Sequence, residues 1–207
     1  MQTEKNEADR IVMLVMRALQ RARISILTVA LTYIVAVSAG MIMVHTGNEG
    51  AIAYRDRIVS GAQSSTITSA LHQNNRFRAA FLDFGGNLYV GIANTLGGLG
   101  IIVPFPMIAY RGWIGGIVSI DGAHASRLAD PREAAYYLIT LLLQLIPSTL
   151  AAGAGVNMGL AYFKPRSFYQ GEKWFGIPKE AIRDALRIYV LAVPLFLVAS
   201  LWEFLAR

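Results

Sequence analysis

Several polar side chains stand in stretches of this sequence that are otherwise apolar: Asp83, Asn87, Asn94, Arg111, Gln144 and Asn157. Amides and charges in apolar helices either hydrogen-bond across helix contacts or line a path for something polar, because leaving them unsatisfied in hydrocarbon is costly. Their spacing sorts them. Asn87, Gly91, Asn94, Thr95 and Gly98 recur at four, three, one and three, a small and polar stripe along one helix face, with Leu88, Val90, Ile92 and Leu96 outside it. Thr140, Gln144, Ser148, Ala151, Gly155 and Gly159 make a second stripe. Two readings stay open for the pair. One is a polar route or binding site between helices, with Asp83 and Arg111 as an ion pair at its boundary; the other is interhelical hydrogen bonding, worth about 0.6 kcal/mol per contact. Arg111 can equally snorkel to an interface.

Other chemistries lack their residues. Cysteine is absent, which removes disulfides, thiolate metal sites and a Cys nucleophile. His45, His72 and His124 are isolated in polar segments, with no His-Glu-x-x-His and no carboxylate at ligand spacing. No His lies in an apolar run to serve a catalytic Ser. Gly98-Leu99-Gly100 lacks the third Gly and the preceding strand of a phosphate loop. The reading is therefore not an enzyme, with no cofactor and no metal. The formal charge is +6, but Arg111 alone among the cationic residues falls within an apolar run. That distribution fits membrane orientation and anionic lipid heads, and no nucleic-acid partner is expected.

The elements that must position these residues follow from composition. Of 207 residues 55% are hydrophobic and only 15% charged, with a mean hydropathy of +0.45, a membrane composition with room for about five spans of roughly 20 residues. The expected fold is all-α, a polytopic membrane helical bundle with one short or re-entrant element. Residues 1–23 are expected to form a cytoplasmic amphipathic basic helix, with Arg10, Arg17 and Arg21 on one side, either held at the interface by anionic lipid or serving as the solvated start of the first span. The membrane domain is 24–207. Its first span, 24–44, is a signal anchor with no cleavage site; Ser25, Thr28, Thr32, Ala36 and Ala39 give it a small face. A polar outer segment, 45–78, is expected to cap the surface. The next spans are 81–103 and 107–120; the latter is too short for a comfortable crossing and carries a Gly112-x-x-x-Gly116 notch. Asp130, Pro131 and Glu133 open a helix containing the span 133–162, with a kink at Pro147. An inner basic loop, 164–187, carries Phe168, Tyr169, Trp174 and Phe175 at the headgroup level, and after Pro178 the spacing pairs Glu180 with Arg183 and Asp184 with Arg187. The last span, 188–205, places Trp202 and Glu203 at the far interface. With five crossings, Lys5, Arg10, Arg17, Arg21, Arg23, Lys164, Arg166, Lys173, Lys179, Arg183 and Arg187 share the N-terminal side, against Arg55, Arg57, Arg76, Arg78, Arg127, Arg132 and Arg207. That asymmetry places the N-terminus in the cytoplasm.

Two blocks also carry a family resemblance. Phe84-Gly85-Gly86-Asn87-Leu88-Tyr89-Val90, followed by Tyr110-Arg111-Gly112-Trp113-Ile114-Gly115-Gly116, resembles the first half of the stage II sporulation protein M family, and Ile146-Pro147-Ser148-Thr149-Leu150-Ala151-Ala152-Gly153-Ala154-Gly155, ending at Gly159, is similar to its second block. There are two departures. Leu141, Leu142 and Leu145 stand where the family has a His-Gly pair and a Glu ahead of the Pro, and Arg111 replaces an Asn. The resemblance implies a five-span integral protein of a prokaryotic plasma membrane; the sporulation member anchors cell-wall remodelling enzymes. The expected function is a scaffold that self-associates or recruits other membrane or envelope proteins. The alternative is a small channel or transporter running between the stripes.

Overall fold

The computed structural model describes residues 2–164 and 167–206. Arg166 and Arg207, counted above for orientation, lie outside the described residues, as do the side chains of Lys5 and Phe168. The regular structure of the described residues is helical except for a hairpin of two short strands, β1 (Lys173–Trp174) and β2 (Ile177–Pro178), and residues 118–130 form a loop between helices.

Helix α1 runs unbroken from Gln2 to His45, 44 residues and about 66 Å at 1.5 Å per residue, so the basic segment and the first apolar run are one rod. It stops at Gly47 (φ 74°), where Gly47 N–H bonds Val44 O and Asn48 N–H bonds Met43 O, the glycine-capped ending that satisfies the last carbonyls. Asn48 then caps α2 (Glu49–Ala62) through a 2.9 Å bond from Ala51 N–H. Ser65 caps α3 (Thr66–His72) and Asn75 caps α4 (Arg76–Gly97). The polar segment thus becomes two short surface helices. A 3-10 turn, Gly98–Gly100, leads to α5 (Pro104–Ile117). Asp130 caps α6 (Pro131–Phe163), accepting from Arg132 and Glu133 N–H at 2.9 Å, and α7 runs from Lys179 to Leu205.

Among the described residues three helices are long and apolar enough to cross a membrane: α1 from Asp9, α6 and α7. The bundle has a basic end, where α1 begins and α6 meets α7, and a capped end covered by α2 and α3. Helix α6 is the hub. From Pro147 to Gly159 every residue is buried, as expected of a helix enclosed on all sides. Its glycines face different neighbours: a Cβ on Gly153 would meet Ile26 of α1 at 2.6 Å, one on Gly155 would meet Thr95 of α4 at 2.4 Å, and one on Gly159 would meet Gly98 O at 2.2 Å.

Helix α5 packs along α1 instead of along α4. The Gly112/Gly116 notch makes that contact: added Cβ atoms would strike Tyr33 O at 2.6 Å and Val37 O at 2.2 Å. The matching face of α1 is Ser25, Val29, Tyr33, Val37 and Gly40, all buried. It is not the small face expected from the sequence, since Thr28 and Ala39 are exposed. The notch on α5 lets α1 present large residues. Helix α4 leans on α6 and α7, so the arms of the α4–α5 hairpin splay apart.

Candidate functional site: a polar cavity between splayed helices

The splay leaves a cavity of about 960 Å³ between the capped end and the level of Val90 and Met107. Its lining collects polar groups from four helices. Arg111 of α5 donates through Nη2 to Asn87 Oδ1 of α4 and, at 2.6 Å, to Gln144 Oε1 of α6. Asn87 Nδ2 donates to Asp83 Oδ2 at 2.7 Å, and Ser200 Oγ of α7 donates to the same oxygen at 2.7 Å. On the other flank Gln144 Nε2 donates to Glu203 Oε2 at 2.9 Å. The result is one chain of hydrogen bonds, Ser200–Asp83–Asn87–Arg111–Gln144–Glu203, across four helices. Asp83 and Arg111, expected as a direct pair, are joined through Asn87. Glu203, expected at the interface, turns into the cavity, fixed by Tyr136 OH on its backbone oxygen (2.8 Å) and by the stacking of Trp202 on Tyr136.

Below this level the stripes meet directly. Thr95 Oγ1 donates to Ala151 O at 2.8 Å and lies 2.7 Å from Tyr189 OH. Gly91 abuts Phe196 and Ala151, while Gly98 abuts Gly155, where an added Cβ would come within 2.2 Å of backbone. Asn94 and Ser148 are buried here as well; Asn94 Nδ2 donates to Val90 O at 3.0 Å, while Asn94 Oδ1 and Ser148 Oγ find no partner among the described residues. Of the stripe residues, then, Asn87, Thr140 and Gln144 reach the cavity, and Gly91, Asn94, Gly98, Gly155 and Gly159 belong to close packing.

Asn157 belongs to a third group, at the basic end. Its Nδ2 donates to Tyr169 OH (2.7 Å), which donates to Asp184 Oδ2 (3.0 Å). Asp184 is fully buried and also accepts from Arg21 of α1 at 2.6 Å and from Arg187 at 2.8 Å. Glu180 pairs with Arg183 at 3.5 Å as its spacing predicts, and with Arg187 at 2.5 Å. Tyr169 is therefore not at a headgroup interface: burial pushes its phenol up, keeping it protonated as a donor. Trp174 and Phe175 are exposed. The local signal that could have found this cluster is the pair of acids Glu180 and Asp184, one helical turn apart in a basic segment; the partner Arg21 lies 163 residues from Asp184.

At the capped end the histidines are stitches. His45 Nε2 lies 2.8 Å from Ser126 Oγ and His124 Nε2 lies 3.0 Å from Asp56 Oδ2. Asp56 also accepts from the buried Arg55 at 2.7 Å. Among the described residues no three metal-ligating side chains converge.

Long apolar helices around a polar, arginine-bearing interior define a helical membrane protein. The chain belongs to the Stage II sporulation protein M family, whose profile matches residues 28–205. No curated protein and no solved structure matches it.

Proposed function

We propose that the chain is a non-enzymatic membrane scaffold of the prokaryotic plasma membrane, self-associating or recruiting other membrane or envelope proteins, with its N-terminus in the cytoplasm. In this reading α4 and α5 complete five crossings. The observation that carries it is the closure of the two stripes on each other: Thr95 and Gly98 against Ala151, Gly155 and Gly159, backbone to backbone. Below Val90 and Met107, where the cavity lining stops, the stripe that a channel would need as its path is closed by this contact within one chain.

Self-association draws support from α4. Gly85 and Gly86 have open space beside them, and Phe81 and Tyr89 on the same helix are exposed, a surface that a second apolar helix fits. Because the chain has no cysteine, a single Phe81→Cys substitution gives a clean crosslinking probe in membranes. A disulfide-linked dimer is expected, and a monomer under oxidation at every expression level would count against assembly through α4. The channel reading is tested in parallel: proteoliposomes bearing the wild-type protein are expected to pass small ions no faster than empty vesicles, and flux abolished by Asn87→Leu or Gln144→Leu would replace the scaffold with a conduit.

A further inference from the structure

The geometry points to the cavity beneath the α2–α3 cap as a binding site for an anionic amphiphile, a carboxylate or phosphate ester with an apolar chain, its anionic group held by Arg111. The site goes beyond the scaffold role and does not depend on it.

The first argument is how Arg111 is held. A guanidinium has five N–H donors and stays charged at any physiological pH. Nη2 is taken by the Asn87 and Gln144 oxygens, whereas Nε and Nη1 meet no acceptor among the described residues. Two neutral amides thus orient the group without cancelling its charge, which a directly paired carboxylate would do. The nearest acids are occupied elsewhere: the Asp83 oxygen that faces this network accepts from Asn87 and Ser200, and Glu203 Oε2 accepts from Gln144. A cation deep between apolar helices, fixed in place and only partly satisfied, is arranged for an incoming anion.

The second argument is the space. At about 960 Å³ the cavity is at the upper end of the 300–1,000 Å³ that small-molecule sites occupy, roughly. Its lining places Arg111 among the apolar walls Met107, Ile114, Leu141 and Phe204, and Ile58 and Leu71 of the cap belong to the same lining. An apolar chain is accommodated by those walls while the anionic group sits at the guanidinium. The lining holds three arginines, Arg76, Arg111 and Arg127, against the two carboxylates Asp83 and Glu203, so the balance favours a negative guest.

The anionic group can arrive on a bilayer lipid or on a soluble amphiphile, and one experiment separates the sources. Full-length protein in nanodiscs of neutral phosphatidylcholine is titrated with octyl phosphate and with octyl glucoside by calorimetry, then again in nanodiscs containing phosphatidylglycerol. Octyl phosphate is expected to bind about tenfold or more tightly than octyl glucoside, the scale of one charge-assisted hydrogen bond. A lipid occupant makes phosphatidylglycerol suppress that binding and raise the melting temperature; a soluble occupant leaves it unchanged between the two discs. Arg111→Gln is expected to lose the preference. Val90→Trp, which fills the cavity floor and spares the Arg111 bonds, is expected to lose binding with its cooperative melt retained, so the test survives a folding defect in the first variant. Equal binding of the two octyl compounds to the wild type, or wild-type affinity in both variants, overturns the site.

Discussion

Asn87 stands between Asp83 and Arg111, giving Nδ2 to the carboxylate at 2.7 Å and Oδ1 to the guanidinium. One amide therefore serves two opposite charges that do not touch. Replacing it with Leu removes both bonds and leaves a partly buried acid and base each short of a partner, at about 1–3 kcal/mol. For a chain of this length Asn87→Leu is expected to melt some 2–12 °C lower, roughly. A melt within a degree of wild type would mean the chain of bonds from Ser200 to Glu203 is not formed in the folded protein.

The glycines should divide into two classes. At Gly155 even a methyl group would lie 2.4 Å from Thr95 O, so Gly155→Leu forces α4 from the hub and costs about 3 kcal/mol or more, the overpacking range. At Gly85 nothing lies within 4 Å, and Gly85→Ala should be neutral or stabilise by up to about 1 kcal/mol through helix propensity. Thermal melts of the two variants in the same detergent decide it; equal losses would contradict the packing.

Asp184 anchors α1 to α7. Asp184→Asn leaves Arg21 and Arg187 facing a neutral amide, and breaking such a buried cluster from one side costs about 3–5 kcal/mol. Because Arg21 and Arg187 are each about one-fifth exposed, the lower part of that range is expected. A double-mutant cycle with Arg21→Met measures the coupling directly; additive losses would show that the two side chains do not interact.

Acid should loosen the capped end. The Asp56 carboxyl is held below the usual carboxylate range, first by the hydrogen bond from Arg55 and then by that from His124. A carboxyl depressed in the folded state stabilises fully above its unfolded value of about 3.9 and loses that contribution as pH falls through the folded value. Asp121 is depressed likewise, by the Ala125 and Ala123 N–H groups. The melting gap between wild type and Asp56→Asn is expected to be present at pH 5 and to shrink below about pH 4. A gap of the same size at pH 3 and pH 7 would remove Asp56 from the account.

What the sequence makes legible is local. Asp130, Pro131 and Glu133 write a helix start in one turn, and Gly112 and Gly116 write a close approach in one face, and both are where the spacing puts them. What it hides depends on the partner. The buried face of α1 holds Val29, Tyr33 and Val37 because the notch is supplied by α5, so no small-residue pattern on α1 marks it. The Arg21–Asp184 and Gln144–Glu203 bonds join residues 163 and 59 positions apart, and no periodicity spans such distances. Glu203 near a helix end reads as an interface residue until Tyr136 and Trp202 are seen to turn it inward.

The turn joining α4 to α5 sets a schedule. Ile101 sits at φ 60°, ψ −53°, and Ile102 N–H bonds Gly100 O at 2.6 Å, a γ-turn of the rare and strained hand. What holds it is the hub: the carbonyl that receives Thr95 comes 56 residues later in the chain. At about 5–20 residues per second of synthesis, the hairpin waits roughly 3–11 seconds before its seat exists. Until then α5 has α1 to lean on, but α4 is unmated and Arg111 is without Gln144, so the nascent protein passes through an interval in which its polar α4 face has to be sheltered by something other than α6.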